Sequence, residues 1–278
     1  MQIQGSIAFI GGGNMASALG NGLLEGGLMP SQLHVLDVDA GIREVWRQRG
    51  VSVAEAPDER LAACSVWVYA VKPQVMREVV ATTQPWLRDA LVISIAAGLR
   101  LASLANWLAG ADAGNRPWGR LVRCMPNTPA LVGAGITGLV AQAGLAESDR
   151  HLAAQLLQAV GDVVWVDDEL ALDAVTALSG SGPAYVFLLL QALIDGGVAL
   201  GLGPDQARRL ALGTLDGATR LAANSAESPA VLRQRVTSKG GTTAAALEVF
   251  ESHGWAQAVG EAMAAAARRA GTLADELG

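Results

Sequence analysis

The residues that most clearly indicate chemistry are three consecutive glycines near the start of the chain. Residues 11–13 follow the apolar run Ile7–Ile10 and open a predicted helix in the pattern Gly-x-Gly-x-x-Ala. Glycines at these positions permit a tight turn and let the backbone approach a pyrophosphate, which then sits on the helix N-terminus. The pattern predicts a dinucleotide site. Its predicted contacts in this turn are Gly11, Gly13, Asn14 and Met15.

An acid at the end of the second predicted strand bears on which dinucleotide binds. Asp37 follows Leu33–Leu36 directly. An acid at this point usually accepts from the adenosine ribose 2′-OH and repels a 2′-phosphate, which favours NAD over NADP. Asp39 lies two residues further on, so an ordinary surface turn is the alternative. We expect NADH to be used at least as readily as NADPH.

Two later strand ends carry unusual residues. Val66–Val71 runs into Lys72-Pro73, where the lysine either neutralises a phosphate or is simply solvated. The run 120–124 leads into Met-Pro-Asn-Thr-Pro, a stiff turn that is either a wall beside the nicotinamide or only structural. Carboxyl ends of parallel strands face the cofactor crevice in this topology. The predicted cofactor contacts at strand ends are Ala70, Val71, Lys72, Pro73, Ala97 and Asn127.

The elements that must position these residues change character along the chain. Short apolar runs alternate with amphipathic ones in the first half, which indicates a parallel sheet covered on both faces. Long Ala/Leu-rich helices follow residue 167. We predict an α/β Rossmann-like dinucleotide-binding domain over 1–165, with a mostly parallel sheet and helices on both faces, and an all-α substrate-binding and dimerisation domain over 166–278. The predicted strands are 7–10, 33–36, 66–71, 91–95, 120–124, 133–140 and 163–166, and the predicted helices are 17–26, 41–49, 75–83, 101–109, 147–160, 184–200, 205–223, 230–236, 242–252 and 255–277.

The helix predicted over Ala184–Leu200 is apolar on every side, with Val-Phe-Leu-Leu-Leu at 186–190. Such a helix is buried in its own domain or between subunits. Because the second domain is small for so much apolar helix, we favour a dimer interface.

Composition excludes several classes of protein. The net charge of −6 argues against nucleic acid, because phosphate binding needs clustered basic residues. Cys64 and Cys124 lie in or beside apolar runs, which is typical of reduced core residues, and three scattered histidines form no metal cluster. The chain shows neither a basic signal-type N-terminus nor an uninterrupted apolar run of about 18 residues. We therefore expect a cytoplasmic protein with no membrane partner and no metal.

Four segments make a resemblance specific: Ala-Val-Lys-Pro-Gln at 70–74, Met-Pro-Asn-Thr-Pro at 125–129, Ser-Gly-Ser-Gly-Pro-Ala-Tyr-Val at 179–186 and Val-Thr-Ser-Lys-Gly-Gly-Thr-Thr at 236–243. Together, and in this order, they resemble the signatures of pyrroline-5-carboxylate reductase, over essentially the whole chain. The resemblance implies reduction of 1-pyrroline-5-carboxylate to L-proline with NADPH or NADH, the last step of proline biosynthesis. It also implies homodimers built on the helical domain, often assembled into larger rings.

The resemblance assigns the substrate site to the second domain. Thr243 matches the family's threonine that contacts the ring nitrogen, and the glycine-rich helix entry offers backbone amides and a positive dipole end to the substrate carboxylate. A protonated C=N accepts hydride without a metal or nucleophile. Lys239 stands where the family usually has proline, and Asp37 departs from the family's frequent use of NADPH. The predicted substrate contacts besides Thr243 are Ser238, Gly240, Gly241, Thr242 and Pro183.

Two other functions compete. The first is another imine or β-hydroxyacid reductase of similar two-domain build. Hydroxyacid dehydrogenases of that type need a catalytic lysine on the helix leading into the second domain, but the only lysines are Lys72 and Lys239. A regulatory dinucleotide-binding module without turnover would need neither of the two motifs at 179–186 and 236–243.

Overall fold

The computed structural model describes residues 5–110 and 116–277, and internal contacts divide the chain into two compact units. Unit 1 comprises Met1–Ser181 and Ala266–Gly278, and unit 2 comprises Gly182–Ala265. This division falls later than the predicted boundary at 165, because residues 169–181 pack on the sheet of unit 1. The functional division into a dinucleotide domain and a substrate domain remains a prediction.

Unit 1 is built on one eight-stranded sheet. Its strands are β1 Ile7–Ile10, β2 Leu33–Leu36, β3 Ser52–Ala54, β4 Val66–Tyr69, β5 Leu91–Ser94, β6 Leu121–Met125, β7 Gly135–Ala141 and β8 Gly161–Trp165. Their order is β3-β2-β1-β4-β5-β6-β7-β8, and β6 with β7 is the antiparallel pair in an otherwise parallel sheet. The direction of winding reverses between β1 and β4, and a ligand crevice is expected at the carboxyl ends of strands beside such a reversal.

In the described part of unit 1, the helices that follow the strands cover both faces of the sheet. They are α1 Asn14–Glu25, α2 Ala40–Gln48, α3 Glu59–Ala63, α4 Pro73–Thr83, α5 Leu101–Ala109, α6 Glu147–Leu157 and α7 Glu169–Val175. Alternate residues of β1 join different cores: Phe9 packs in the cluster that includes Leu19 of α1, whereas Ile10 packs in the cluster that includes Met76 of α4. Both faces of the central strands are therefore buried, and the predicted mostly parallel sheet with helices on both faces is confirmed.

The elements that the sequence analysis missed are short. They are β3, α3 and α7, of three, five and seven residues. Asp58 and Asp168 cap the two helices by accepting hydrogen bonds from Leu61 N and Ala171 N at 2.8 and 2.7 Å. A helix of one or two turns shows too few apolar repeats for periodicity to reveal it, although its N-cap acid is readable.

Unit 2 contains helices only, as predicted, but it lacks a core of its own. The helices are α8 Gly182–Ala199, α9 Pro204–Ala223, α10 Pro229–Arg235, α11 Thr242–Ser252 and α12 Trp255–Leu277, the last of which ends in unit 1. Ala207 and Ala211 are the only two residues of unit 2 that are buried. A Cβ on Gly197 would lie 3.2 Å from the Cβ of Ala207, so α8 and α9 pack closely there. The remaining apolar side chains of this unit are half-buried or exposed.

The stretch Glu169–Ala199 is long and apolar enough to cross a membrane, judged by length and composition alone. The sequence analysis expected no such stretch because it looked for uninterrupted apolar residues, whereas mean hydropathy also counts the small residues between them. The finding is weak evidence for a membrane. An interface helix covered by a second subunit has the same composition.

Buried charges fasten α7 to the sheet. Arg123 of β6 is 2% exposed and donates to Glu169 Oε1 at 2.7 Å. The same oxygen accepts from Leu101 N at 2.9 Å, at the start of α5. Asp173, one turn along α7, pairs with Arg100 at 2.8 Å, and its other oxygen lies 3.7 Å from Arg123. Two acids of α7 thus neutralise two arginines, one in β6 and one at the start of α5.

We expect Glu169→Ala to lower the free energy of unfolding by about 2 to 4 kcal/mol, because it leaves Arg123 buried without its closest partner. The matched control is Glu147→Ala, whose carboxylate is 73% exposed and lies 3.9 Å from Arg150 and 3.7 Å from His151, both on the surface of the same helix. That control should lose no more than about 1 kcal/mol. Urea unfolding measures both changes in the free energy of unfolding. Equal losses in the two variants would contradict a stabilising role of Glu169.

Candidate functional site

The first glycine of the turn after β1 lies where no side chain fits. Gly11 has a φ of 96°, and a Cβ built on it would lie 2.9 Å from the carbonyl carbon of Ala70 and 2.8 Å from Cγ1 of Val71. Its N–H donates to the carbonyl of Leu36 at 2.8 Å. The turn therefore runs directly against the ends of β2 and β4, which only glycine permits.

The third glycine faces open space. No atom lies within 4 Å of the position that a Cβ on Gly13 would take, and no side chain caps α1, which begins at Asn14. The first-turn amides of a helix have no partner within the helix, and its dipole favours an anion. Gly13, Asn14 and Met15 thus offer backbone amides beside open space, which fits the pyrophosphate of a dinucleotide.

The second glycine is held from both sides. Gly12 N donates to Asp37 Oδ2 at 2.7 Å, and the carbonyl of Gly12 accepts from Trp46 Nε1 at 2.9 Å. Trp46 of α2 is fully buried and stacks on Phe9 of β1 with ring centroids 5.9 Å apart. Sequence reasoning missed Trp46. Its only signal was a large aromatic residue on the apolar face of the helix after Asp37.

Asp37 lies at the predicted place, but its carboxylate already has two partners. Oδ2 accepts from Gly12 N, and Oδ1 accepts from Asp39 N at 2.9 Å. A carboxylate offers about four acceptor positions, so a ribose hydroxyl is not excluded by these two bonds. Asp39 caps α2 by accepting from Gly41 N and Ile42 N at 2.7 and 3.0 Å. The contact of Asp37 with ribose stays a prediction.

The structure brings the other predicted cofactor residues of unit 1 to the same edge of the sheet. Ala70 and Val71 follow β4, and Ala97 follows β5. Lys72 is the exposed N-cap residue of α4, and Pro73 is the first residue of that helix. Within the described part of the chain, Lys72 forms no ion pair. Its ammonium group is therefore available to a phosphate, although its contact with a cofactor remains a prediction.

Asn127 has a structural role that the sequence did not reveal. Its side-chain oxygen accepts from Ile136 N of β7 at 3.0 Å, and its amide nitrogen donates to the carbonyl of Ser179 at 3.1 Å. Ser179 belongs to a π-helical turn, Thr176–Gly180, directly before α8. Asn127 therefore holds this turn, and its predicted contact with the cofactor is untested.

In unit 2, the predicted substrate residues lie at the N-terminus of α11. Gly241 takes the N-cap position, and the helix begins at Thr242, the first residue of the predicted range. Gly240 has a φ of 72°, and Gly241 N donates to the carbonyl of Ser238 at 3.0 Å. The amide of Gly241 is thus used within the turn rather than left for a ligand.

The two threonines contribute both amides and hydroxyls at this helix end. Thr242 and Thr243 are the first two residues of α11, and no side chain caps the helix. Within the described part of the chain, neither threonine hydroxyl forms a hydrogen bond. Lys239 beside them is exposed and has no ion pair there. Pro183, the second residue of α8, belongs to the same unit.

The two cysteines are buried and unpaired, as predicted for core residues. Burial raises the pKa of the Cys64 thiol to about 11 and raises that of Cys124 further, so neither is a reactive thiolate at neutral pH. Among residues 5–110 and 116–277, no three His, Cys, Asp or Glu side chains are grouped to hold a metal ion.

Comparison with known proteins extends the likeness over both units. A family model described as pyrroline-5-carboxylate reductase dimerisation matches residues 169–273, and one described as NADP oxidoreductase, coenzyme F420-dependent, matches residues 6–98. Pyrroline-5-carboxylate reductase of Pseudomonas aeruginosa is 46% identical over 274 residues, 98% of each chain.

Solved structures agree with these matches. A pyrroline-5-carboxylate reductase from Coxiella burnetii has a TM-score of 0.88 at 37% identity, over 98% of this chain and 99% of its own. A Plasmodium falciparum pyrroline carboxylate reductase, solved with NADP bound, has a TM-score of 0.84 at 27% identity, over 98% of both chains.

We expect Trp46→Phe to weaken NADH binding by about 3- to 10-fold, because one hydrogen bond that orients the glycine turn is lost. Trp67→Phe is the matched control, since Trp67 is equally buried and donates to a backbone carbonyl, that of Leu61, at 3.1 Å. Both variants should lose similar stability in thermal unfolding. NADH fluorescence titration should show the loss of affinity in Trp46→Phe alone, and an equal loss in both would refute a specific role.

Proposed function

The chain belongs to the pyrroline-5-carboxylate reductase family, and from that membership we propose that it reduces the C=N bond of 1-pyrroline-5-carboxylate to L-proline with NAD(P)H. The observation that carries the proposal is 46% identity to a reductase of that name over 98% of both chains. The bound nicotinamide would supply the hydride. In the cell the reaction is the last step of proline biosynthesis, and we propose that it takes place in the cytoplasm.

Unit 1 would hold the dinucleotide through its backbone. The open amides of Gly13, Asn14 and Met15 fit the pyrophosphate, since they combine a helix N-terminus with space that no side chain fills. Gly11 contributes by letting the turn lie against β4. The ends of β4, β5 and β6 would line the rest of the crevice, through Ala70, Val71, Lys72, Pro73, Ala97 and Asn127.

Unit 2 would hold the substrate at the start of α11. Its carboxylate would accept from the amides of Thr242 and Thr243, assisted by the positive end of the helix dipole. Ser238, Gly240 and Pro183 complete the predicted contacts, and the family's usual proline is replaced here by Lys239. The free hydroxyl of Thr243 would contact the ring nitrogen, where an oriented hydrogen bond stabilises the change from iminium to amine.

We also propose that the chain forms a homodimer through the helices of unit 2, and that such dimers can assemble into a larger ring. Phe187 and Leu188 of α8 are 63% and 73% exposed, and a dimerisation family model covers this region. A cavity of about 470 Å³ beside Leu189, Phe250 and Trp255 adds open apolar surface. A lone subunit would expose larger apolar patches than soluble monomers normally carry. Asp195, which accepts from Gln191 Nε2 at 2.8 Å, lies about one turn before the end of α8.

The test of the activity is the oxidation of NADH and NADPH by the purified protein. We expect absorbance loss at the nicotinamide band only when the cyclic imine is supplied, with L-proline as the product. Turnover of 3-hydroxyacids without turnover of the imine would assign the chain to the hydroxyacid dehydrogenases instead. Dinucleotide binding without turnover of either would identify a regulatory module.

We expect Thr243→Ala to lower kcat by roughly 10- to 1,000-fold, because an oriented hydrogen bond to the ring nitrogen is lost. Thr243→Ser keeps the hydroxyl and should retain far more activity. The dissociation constant of NADH should stay unchanged in both variants. Normal turnover by Thr243→Ala, together with loss of activity in Thr242→Ala, would move the role to Thr242.

Sedimentation should show the wild-type protein as a dimer or larger at micromolar concentration. Phe187→Asp should shift it towards monomer, since a charge would be buried in the interface. Met29→Asp is the control, because Met29 is 59% exposed on unit 1, away from the helices of unit 2 in sequence. A wild-type monomer would rule out the proposed interface.

A further inference from the structure

Arg43 and Glu55 lie beside the residue that we expect to face the adenosine ribose. Arg43 of α2 donates through Nη1 to the carbonyl oxygen of Asp37 at 2.7 Å. Its Nη2 donates to Glu55 Oε2 at 2.8 Å. Glu55 follows β3, so the pair joins the ends of two neighbouring strands at the carboxyl edge of the sheet.

The two members of this pair differ in how firmly they are held. The Arg43 side chain is 14% exposed, and its bond to the Asp37 carbonyl fixes it beside the end of β2. The Glu55 side chain is 70% exposed, and Arg43 is its only partner in the described part of the chain. The arginine is therefore a fixed cation, and the glutamate is a surface group that occupies one side of it.

An arginine beside the end of the second strand is the group that accommodates a 2′-phosphate in dinucleotide-binding folds. A guanidinium binds a phosphate through parallel N–H donors, which a carboxylate also uses. Glu55 thus competes for the same N–H groups and adds a negative charge beside them. The turn after β2 carries two acids, Asp37 and Asp39. In the described part of the chain, Arg43 is the only basic side chain that forms a hydrogen bond with this turn.

We propose that Glu55 is a specificity-determining residue, which withholds Arg43 from a 2′-phosphate and so lowers the preference for NADPH relative to NADH. The inference rests on the proposed function, because it concerns the dinucleotide site of unit 1. It goes beyond the expectation for Asp37, which concerns the ribose hydroxyl. Removing the charge of Glu55 should free Arg43 for the phosphate without altering the glycine turn.

The experiment separates the 2′-phosphate from the rest of the cofactor by using 2′,5′-ADP and 5′-AMP as probes of the full-length protein in calorimetric titration. In Glu55→Gln the dissociation constant of 2′,5′-ADP should fall about 5- to 10-fold, whereas that of 5′-AMP should change less than twofold. The ratio of kcat/KM for NADPH to that for NADH should rise with it. Absence of the gain for 2′,5′-ADP would overturn the proposal.

Glu44→Gln is the matched control, since Glu44 is another exposed acid that pairs with an arginine of α2, Arg47. It makes the same change in net charge and should alter both dissociation constants less than twofold. An equal gain in affinity for 2′,5′-ADP in Glu44→Gln would assign the effect to the net charge of the protein and overturn the role of Glu55. The double variant Arg43→Gln, Glu55→Gln should lose the gain, and a retained gain would overturn the role of Arg43.

The two proposals fail in different ways. If the wild type binds neither 5′-AMP nor NADH, the dinucleotide site itself is wrong, and both proposals fall. If it binds 5′-AMP and the Glu55→Gln gain is missing, only the role of Glu55 is overturned.

Discussion

The cofactor side of this molecule depends on the contact between the backbone of Gly11 and that of Ala70. The space that a Cβ would need at Gly11 is filled by the end of β4. This approach brings the start of α1 to the crevice, and the bonds from Gly12 to Asp37 and Trp46 then fix the turn in one orientation. A binding surface made of amides needs such fixing, because a backbone has no side-chain rotamer to adjust to its ligand.

A second set of constraints acts at β6, two strands away from β4 in the same sheet. Buried Arg123 and its partner Glu169 fasten α7, and Asn127 fastens the π-helical turn that follows it. Burying ions costs solvation free energy, so this arrangement contributes more to geometry than to stability. These contacts fix the position of the segment that ends unit 1 at Ser181, immediately before α8 begins at Gly182-Pro183.

Sequence reasoning succeeded where one physical pattern dominates. β1, β2 and α5 were predicted with their observed bounds, because a fully buried strand or an apolar-faced helix has a simple pattern. It failed for β3 and α7, which owe their form to tertiary pairing more than to local periodicity.

The site shows the same division. The glycine turn was readable because glycine has a specific backbone meaning, and the four motifs supplied the family. The roles of Trp46, Arg43 and Asn127 were not readable, because each acts through a partner 6 to 52 positions away in the chain. Only folding brings such partners together. The hydrogen bond from the amide of Gly241 to Ser238 likewise depends on a turn geometry that composition does not specify.

The last helix gives the molecule a distinctive order of assembly during synthesis. Leu273 lies against Gly98, with its Cβ 3.0 Å from where a Cβ would stand on that glycine, and Leu277 packs against the second core cluster. Gly98 belongs to the loop after β5 that carries Ala97. Ribosomes deliver a chain from its N-terminus, so the sheet is made first and waits for its final packing partners. The loop beside Ala97 therefore completes its packing only when the C-terminal turns of α12 have emerged, long after the strands on either side of that loop.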